Sequence, residues 1–163
     1  MADNLVITEE MKSMLGWESE PWMFEVTRTS VRAFARGVGY SDRTYFDVET
    51  ARKAGYPDLP APPTYLGTPV FIPGESDDTF SSPPGFNPDL KHGLKGLLDG
   101  GTDTEYQDTI CAGDTLSCVR KLTNLEAKNS KSLGDFLIVT SEFTFTNQNN
   151  VIVAVQTTRG IFY

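Results

Sequence analysis

Asp42, Asp47 and His92 are the side chains in this sequence best suited to acid–base chemistry. A carboxylate and an imidazole that share one water can activate it and return a proton, provided their pKa values lie near the working pH. His92 is the one histidine of the chain, so any such site must recruit it from a distant segment. Each residue also has a plain structural use. Asp42 fits a turn former, Asp47 fits the N-cap of a short helix, and His92, among Lys91, Gly93 and Lys95, fits a solvated loop. Tyr40, Tyr45 and Tyr65 offer apolar rings with one polar tip, which suits the wall of a pocket for an apolar ligand. Lys91, Lys95 and Arg43 are cations within reach of ligand phosphates or ordinary surface charges, and Glu126 with Lys128 reads as a solvated pair.

These residues depend on the elements around them. Val31, Phe34, Ala35 and Val38 recur at the spacing of one helical face, with Thr29 or Ser30 to cap the start and Gly37 and Gly39 to unwind the end. A polar turn follows, then the short helix VETARKA, stopped by Gly55. Pro57, Pro60, Pro62 and Pro63 forbid helix beyond it. Upstream, residues 8–15 form a small amphipathic helix capped by Thr8 and stopped by Gly16, a lid or packing piece, and residues 22–27 form a strand. Residues 67–101 are an excursion rich in Pro, Gly, Ser and Asp, in which Phe71, Phe80 and Phe86 ask for burial. From about residue 103 the period becomes two, and TDTEYQD, TLSCVRKLTNLEAK, DFLIVTSEFTFTNQ and VIVAVQTTRGIFY read as strands. Ala112-Gly113-Asp114 and Asn147 to Asn150 supply turns. Arg120, Lys121, Glu142 and Arg159 among the apolar strand residues suit one face that is wet or meets another subunit.

The 163 residues are long enough to bury a core as one domain, 1–163, of the α+β class. A net charge of −8 excludes a basic stripe for nucleic acid. Cys111 and Cys118 are too few for a disulfide framework and lack metal-ligand spacing, so no metal is expected and a reducing, cytoplasmic setting is. No run approaches the ~20 apolar residues that span a bilayer, so no membrane partner is expected.

The stretch FARGVGYSDRTYFDVETARKAGYPDLPAPPTY, with the later EYQDTICAGDTLS, NLEAKNSKSLG and TFTNQNN, resembles the MaoC-like dehydratases. The likeness is greatest to their N-terminal type of domain, related to the dehydratase region of fatty acid synthase. It implies a hot-dog fold, in which a curved antiparallel sheet wraps a central helix, and dimers that bind acyl thioesters at the seam. It further implies R-type hydration of enoyl-CoA or enoyl-carrier-protein thioesters, or the reverse dehydration, without cofactors.

Catalytic members of that family place their pair in a Gly-Asp-x-Asn-Pro-x-His turn after the central helix, and an oxyanion-holding amide in a later His-Gly step. Laid on this turn, Tyr40 falls where the Asp belongs and Tyr45 where the His belongs. Neither phenol is a base at neutral pH without a large pKa shift. The later step falls on Pro62-Pro63, and proline has no N–H. The resemblance therefore implies a subunit without its own Asp/His pair, whose Tyr40, Tyr45, Pro63, Thr64 and Tyr65 shape the acyl pocket beside a second, catalytic MaoC-like subunit in a heterodimer or heterotetramer. The alternatives are a self-sufficient homodimeric hydratase or thioesterase using Asp42, Asp47 and His92, and a non-catalytic acyl-CoA binding module.

Overall fold

A computed structural model describes residues 7–67 and 85–163. Its elements are α1 (Glu9–Ser13), β1 (Trp22–Glu25), α2 (Arg28–Gly37), α3 (Val48–Lys53), β2 (Leu97–Tyr106), β3 (Thr115–Ser130), β4 (Gly134–Thr146) and β5 (Ile152–Phe162), with 3-10 turns at Arg43–Tyr45 and Tyr65–Gly67. The strands form one antiparallel sheet in the order β1-β3-β4-β5-β2. Register shifts between Leu122 and Asn124, Asp99 and Thr102, and Phe145 and Thr146 add twist and bend. The curved sheet closes on α2, which is the α+β hot-dog arrangement.

Local chemistry explains most boundaries. Thr8 caps α1 by accepting from the Met11 amide, and Asp47 caps α3 by accepting from the Thr50 amide. Gly55 follows α3 at φ +97, a conformation open to glycine. Asn150 takes the left-handed conformation between β4 and β5, while the Asn147 carboxamide oxygen accepts from the Asn149 and Val151 amides. The cap of α2 differs from expectation. Thr27 is the N-cap and Ser30 the reciprocal partner of a capping box, so the helix starts before the first apolar residue of its stripe and Val38 falls beyond its end, 52% exposed. Leu97–Gly101 also departs from the expected excursion, because it forms the first half of β2. Its Gly100 lies so near β5 that a Cβ there would stand 2.8 Å from the Arg159 carbonyl oxygen.

The sheet's inward face carries two apolar clusters. Under α2 and α3, Val31, Ala51, Leu59, Leu116, Cys118, Phe145 and Val153 are buried together, and Phe86 joins them with its ring edge-on to Trp22. Phe71 and Phe80 lie outside the described residues. Under α1, Met11 packs with Leu122, Leu125, Leu137 and Val139, so α1 is a packing piece. Each fully buried aliphatic side chain contributes about 1.5–3 kcal/mol.

The loop after α3 is tied down twice. Ala61 N donates to the Ile110 carbonyl at 2.7 Å and Ala112 N to the Leu59 carbonyl at 2.8 Å. Arg28 adds a two-point bond to Asp58, Nε to Oδ1 at 2.9 Å and Nη2 to Oδ2 at 2.6 Å. These bonds hold the Asp58 carboxyl down at about 2, against an ordinary 3.8. Stability from such a depressed carboxyl is fully present above the unfolded value and fades as pH falls toward the folded one. Asp58→Asn is expected to cost up to about 1 kcal/mol at pH 7, limited by the exposure of Arg28. Thermal unfolding of both proteins from pH 7 to pH 3 is expected to show the gap narrowing below pH 4.

Candidate functional site

The turn between α2 and α3 is built from side chain to backbone bonds. Tyr40 N donates to the Ala35 carbonyl at 2.9 Å through Gly39 at φ +82, which stops α2 and swings the chain outward. Arg32 Nε, on the helix, donates to the Phe46 carbonyl at 2.9 Å and fixes the far end of the turn. Within it, Asp42 Oδ1 accepts from the Thr44 amide and from Thr44 Oγ1, each at 2.9 Å. Asp47 Oδ2 accepts from the Thr50 amide at 2.8 Å and from Thr50 Oγ1 at 2.5 Å.

Hydrogen bonds to the ionised form stabilise it, so both carboxyls become more acidic than usual. The Thr44 backbone bond is the main cause for Asp42, and the Thr50 side-chain bond for Asp47. A general base at neutral pH needs the opposite shift. The phenol of Tyr45 moves up, first through burial and then through the nearby Asp42 charge, so it stays protonated.

Asp42 and Tyr45 line a cleft of about 740 Å³ together with Thr44, Tyr56, Pro63 and Tyr106. Tyr40 packs on Tyr45 with ring centroids 5.5 Å apart, but is itself 37% exposed and absent from the cleft wall. Tyr65, expected to line a pocket, turns inward instead. It is 8% exposed, its ring edge-on to Phe34 and its hydroxyl 2.7 Å from Ser30 Oγ. Thr64 occupies the left-handed region at φ 68, strained for a β-branched residue, and its amide donates to the Tyr106 hydroxyl at 3.1 Å. Tyr106 was not singled out from the sequence. Its one signal there is an aromatic ring at the strand end, next to the expected turn.

His92 is far from being a solvated loop histidine. Its ring lies 4.5 Å from that of Phe162, its Nδ1 accepts from the Leu94 amide at 3.1 Å, and burial lowers its pKa. It lines a different cavity, of about 610 Å³, on the sheet's inward face between β2, β5 and residues 87–92. Asp42 lies on the cleft, His92 on the cavity, and Asp47 on neither wall. The fold therefore does not bring the Asp42, Asp47 and His92 set together, and it employs both carboxylates as caps. Lys91 Nζ is engaged with Glu10 at 3.4 Å, and Cys111 and Cys118 are free, buried thiols that burial pushes up, Cys118 to about 12.

The family model for the FAS1-like dehydratase domain region matches residues 13–156. The chain belongs to this dehydratase family. A UPF0336 protein of Parafrankia sp. (strain EAN1pec) is 31% identical over 131 residues, which is 80% of this chain and 79% of that protein. Among solved structures, the ChsH1-ChsH2 complex from Mycobacterium tuberculosis aligns with a TM-score of 0.72 at 19% identity, covering 90% of this chain and 89% of that one. The HadBC (3R-hydroxyacyl-ACP dehydratase) complex from the same organism aligns at 0.66 and 19%, covering 96% and 99%. A MaoC-like dehydratase from Rhodospirillum rubrum aligns at 0.62 and 21%, covering 91% and 92%. The chain is thus a hot-dog domain of the FAS1-like dehydratase family, with the fold of the MaoC-like dehydratases.

Because Asp47 acts as a cap in this dehydratase-family chain, Asp47→Ala is expected to cost about 1 kcal/mol, or roughly 2–4 °C in melting temperature. Asp47→Asn, which keeps an acceptor, is expected to recover most of that loss in the same melting experiment.

Proposed function

We propose that this chain is the pocket-shaping half of an R-type enoyl-thioester hydratase or dehydratase, working beside a catalytic hot-dog partner. Addition of water across an enoyl thioester needs a carboxylate and an imidazole on one water, and a donor for the carbonyl oxygen as charge develops there. The observation that carries the reading is the state of Asp42, Tyr45 and His92. Both carboxylates in the turn, Asp42 and Asp47, are held as acidic caps, the phenol standing where the family's histidine belongs is protonated, and the imidazole lies on another cavity. Pro62 and Pro63 have no amide to offer. Two of the similar structures are complexes, ChsH1-ChsH2 and HadBC, which supports a second hot-dog subunit here. In this reading the partner supplies acid, base and oxyanion donor, the substrate is an acyl-CoA or acyl-carrier-protein thioester, and no further cofactor takes part.

Recovery of the tagged chain from its own cells, followed by an enoyl-CoA hydration assay, tests this. The expected result is an active complex holding a stoichiometric second hot-dog chain, and no turnover by this chain alone. Turnover by the isolated chain that Asp42→Asn or His92→Gln abolishes would overturn it.

A further inference from the structure

Arg120 sits where an apolar residue is the rule. On β3 it alternates inward with Leu116, Cys118 and Leu122, so its side chain enters the gap between the two apolar clusters, half-buried. Its Nε donates to Ser141 Oγ at 3.1 Å, its Nη1 donates to Asn87 Oδ1, and its guanidinium carbon stands 5.3 Å from the centre of the Phe143 ring. All three partners are uncharged. Among the described residues Arg120 has no ion pair, whereas the neighbouring Arg159 is paired with Asp103 at 2.8 Å.

A charge brought out of water is retained at a cost of several kcal/mol unless an opposite charge or enough hydrogen bonds compensate it. Arg120 keeps its charge: burial lowers its pKa only to about 10, well above neutral pH. Of the five guanidinium N–H groups, Ser141 and Asn87 take two. Among the described residues the three left over are both on Nη2 and one on Nη1, enough for a two-point bond to a carboxylate.

Arg120 lines the 610 Å³ cavity, whose other walls include Leu97, Val139, Phe143 and Phe162. Its volume lies in the range of small-molecule sites, and such sites combine apolar walls with a few placed polar groups. The carboxylate among its lining residues, Asp99, is exposed and accepts from the Gly101 amide at 2.8 Å. Gln156, inward on β5 near the same level, gives its amide to Thr104 Oγ1 at 2.9 Å and adds no charge. The cavity wall therefore carries the unpaired positive charge of Arg120 among apolar side chains.

We propose that this cavity binds an apolar carboxylic acid of medium chain length, its hydrocarbon against Leu97, Val139 and Phe162 and its carboxylate on the free N–H groups of Arg120. The acid is either a free fatty acid or the distal carboxylate of an acyl thioester, and only the second version rests on the proposed function. In that version Arg120 selects acyl chains that end in an acid.

Calorimetric titration of the full chain with decanoate and decan-1-ol at pH 7 decides the matter. Decanoate is expected to bind at least tenfold more tightly than the alcohol. In Arg120→Gln the acid is expected to lose about tenfold while the alcohol is unchanged, and Leu97→Trp, at the exposed wall, is expected to weaken both. Equal binding of acid and alcohol by the unaltered chain, or binding of neither, would overturn the proposal even if Arg120→Gln fails to fold. Sebacoyl-CoA binding tenfold more tightly than decanoyl-CoA would identify the distal carboxylate of a thioester as the ligand, and binding of free decanoate alone would identify the free acid. The decanoate comparison needs no partner and no turnover, so it stands or falls separately from the hydratase assay.

Discussion

One face of a long, curved sheet has to be kept from water, and the helix available for the task is short. β3 runs for 16 residues, about 50 Å of strand, while α2 has 10 residues, about 15 Å of helix. The helix covers one end of the face, where Val31 is fully buried with Leu116, Phe145 and Val153, and Ala35 is fully buried as well. The other end recruits α1 and residues of the 90–94 segment, so that Met11, Leu90 and Leu94 close over Leu122, Leu137 and Val139. Between the two coverings the inward face carries polar side chains. Arg120, Ser141 and Gln156 occupy that band, and the 610 Å³ apolar-walled cavity opens there.

The same economy shapes the turn after α2. A short helix must be stopped, redirected and followed by another short helix within a few residues, and each reversal leaves backbone amides in need of acceptors. Asp42 and Asp47 meet that need, and a carboxylate holding two donors is stabilised in its ionised form. The chemistry that would serve a hydration reaction and the chemistry that caps the start of a helix pull the pKa in opposite directions. In this chain the structural demand prevails at both positions. The hot-dog fold is retained at about one-fifth identity to the similar solved structures, since a covered antiparallel sheet needs only inward apolar parity and working turns.

Much of the architecture was legible along the chain. The caps at Thr8 and Asp47, the glycine stop at Gly55, the turns at Gly113 and Asn147–Asn150 and the course of β3, β4 and β5 all follow from hydrogen bonds spanning three or four residues or from period-two alternation. The dehydratase family was legible for the same reason, because its motifs are contiguous. The site was less so. Tyr65 read as a pocket residue and lies in the core; His92 read as solvated and packs on Phe162; Tyr106 was overlooked and holds the Thr64 amide.

The sequence by itself determined the order of elements, their caps and turns, and the lack of an Asp/His pair in the turn, since these depend on neighbours in the chain. Only the tertiary structure decided that Arg120 points inward instead of to a wet face, that Leu97–Gly101 joins the sheet, and that Asp42 and His92 lie on separate cavities. Each of those outcomes depends on strand order, on the bulges that set register and on how far a ten-residue helix reaches across its sheet. Such contacts join residues that are distant in the chain, and no local pattern of residue types encodes them.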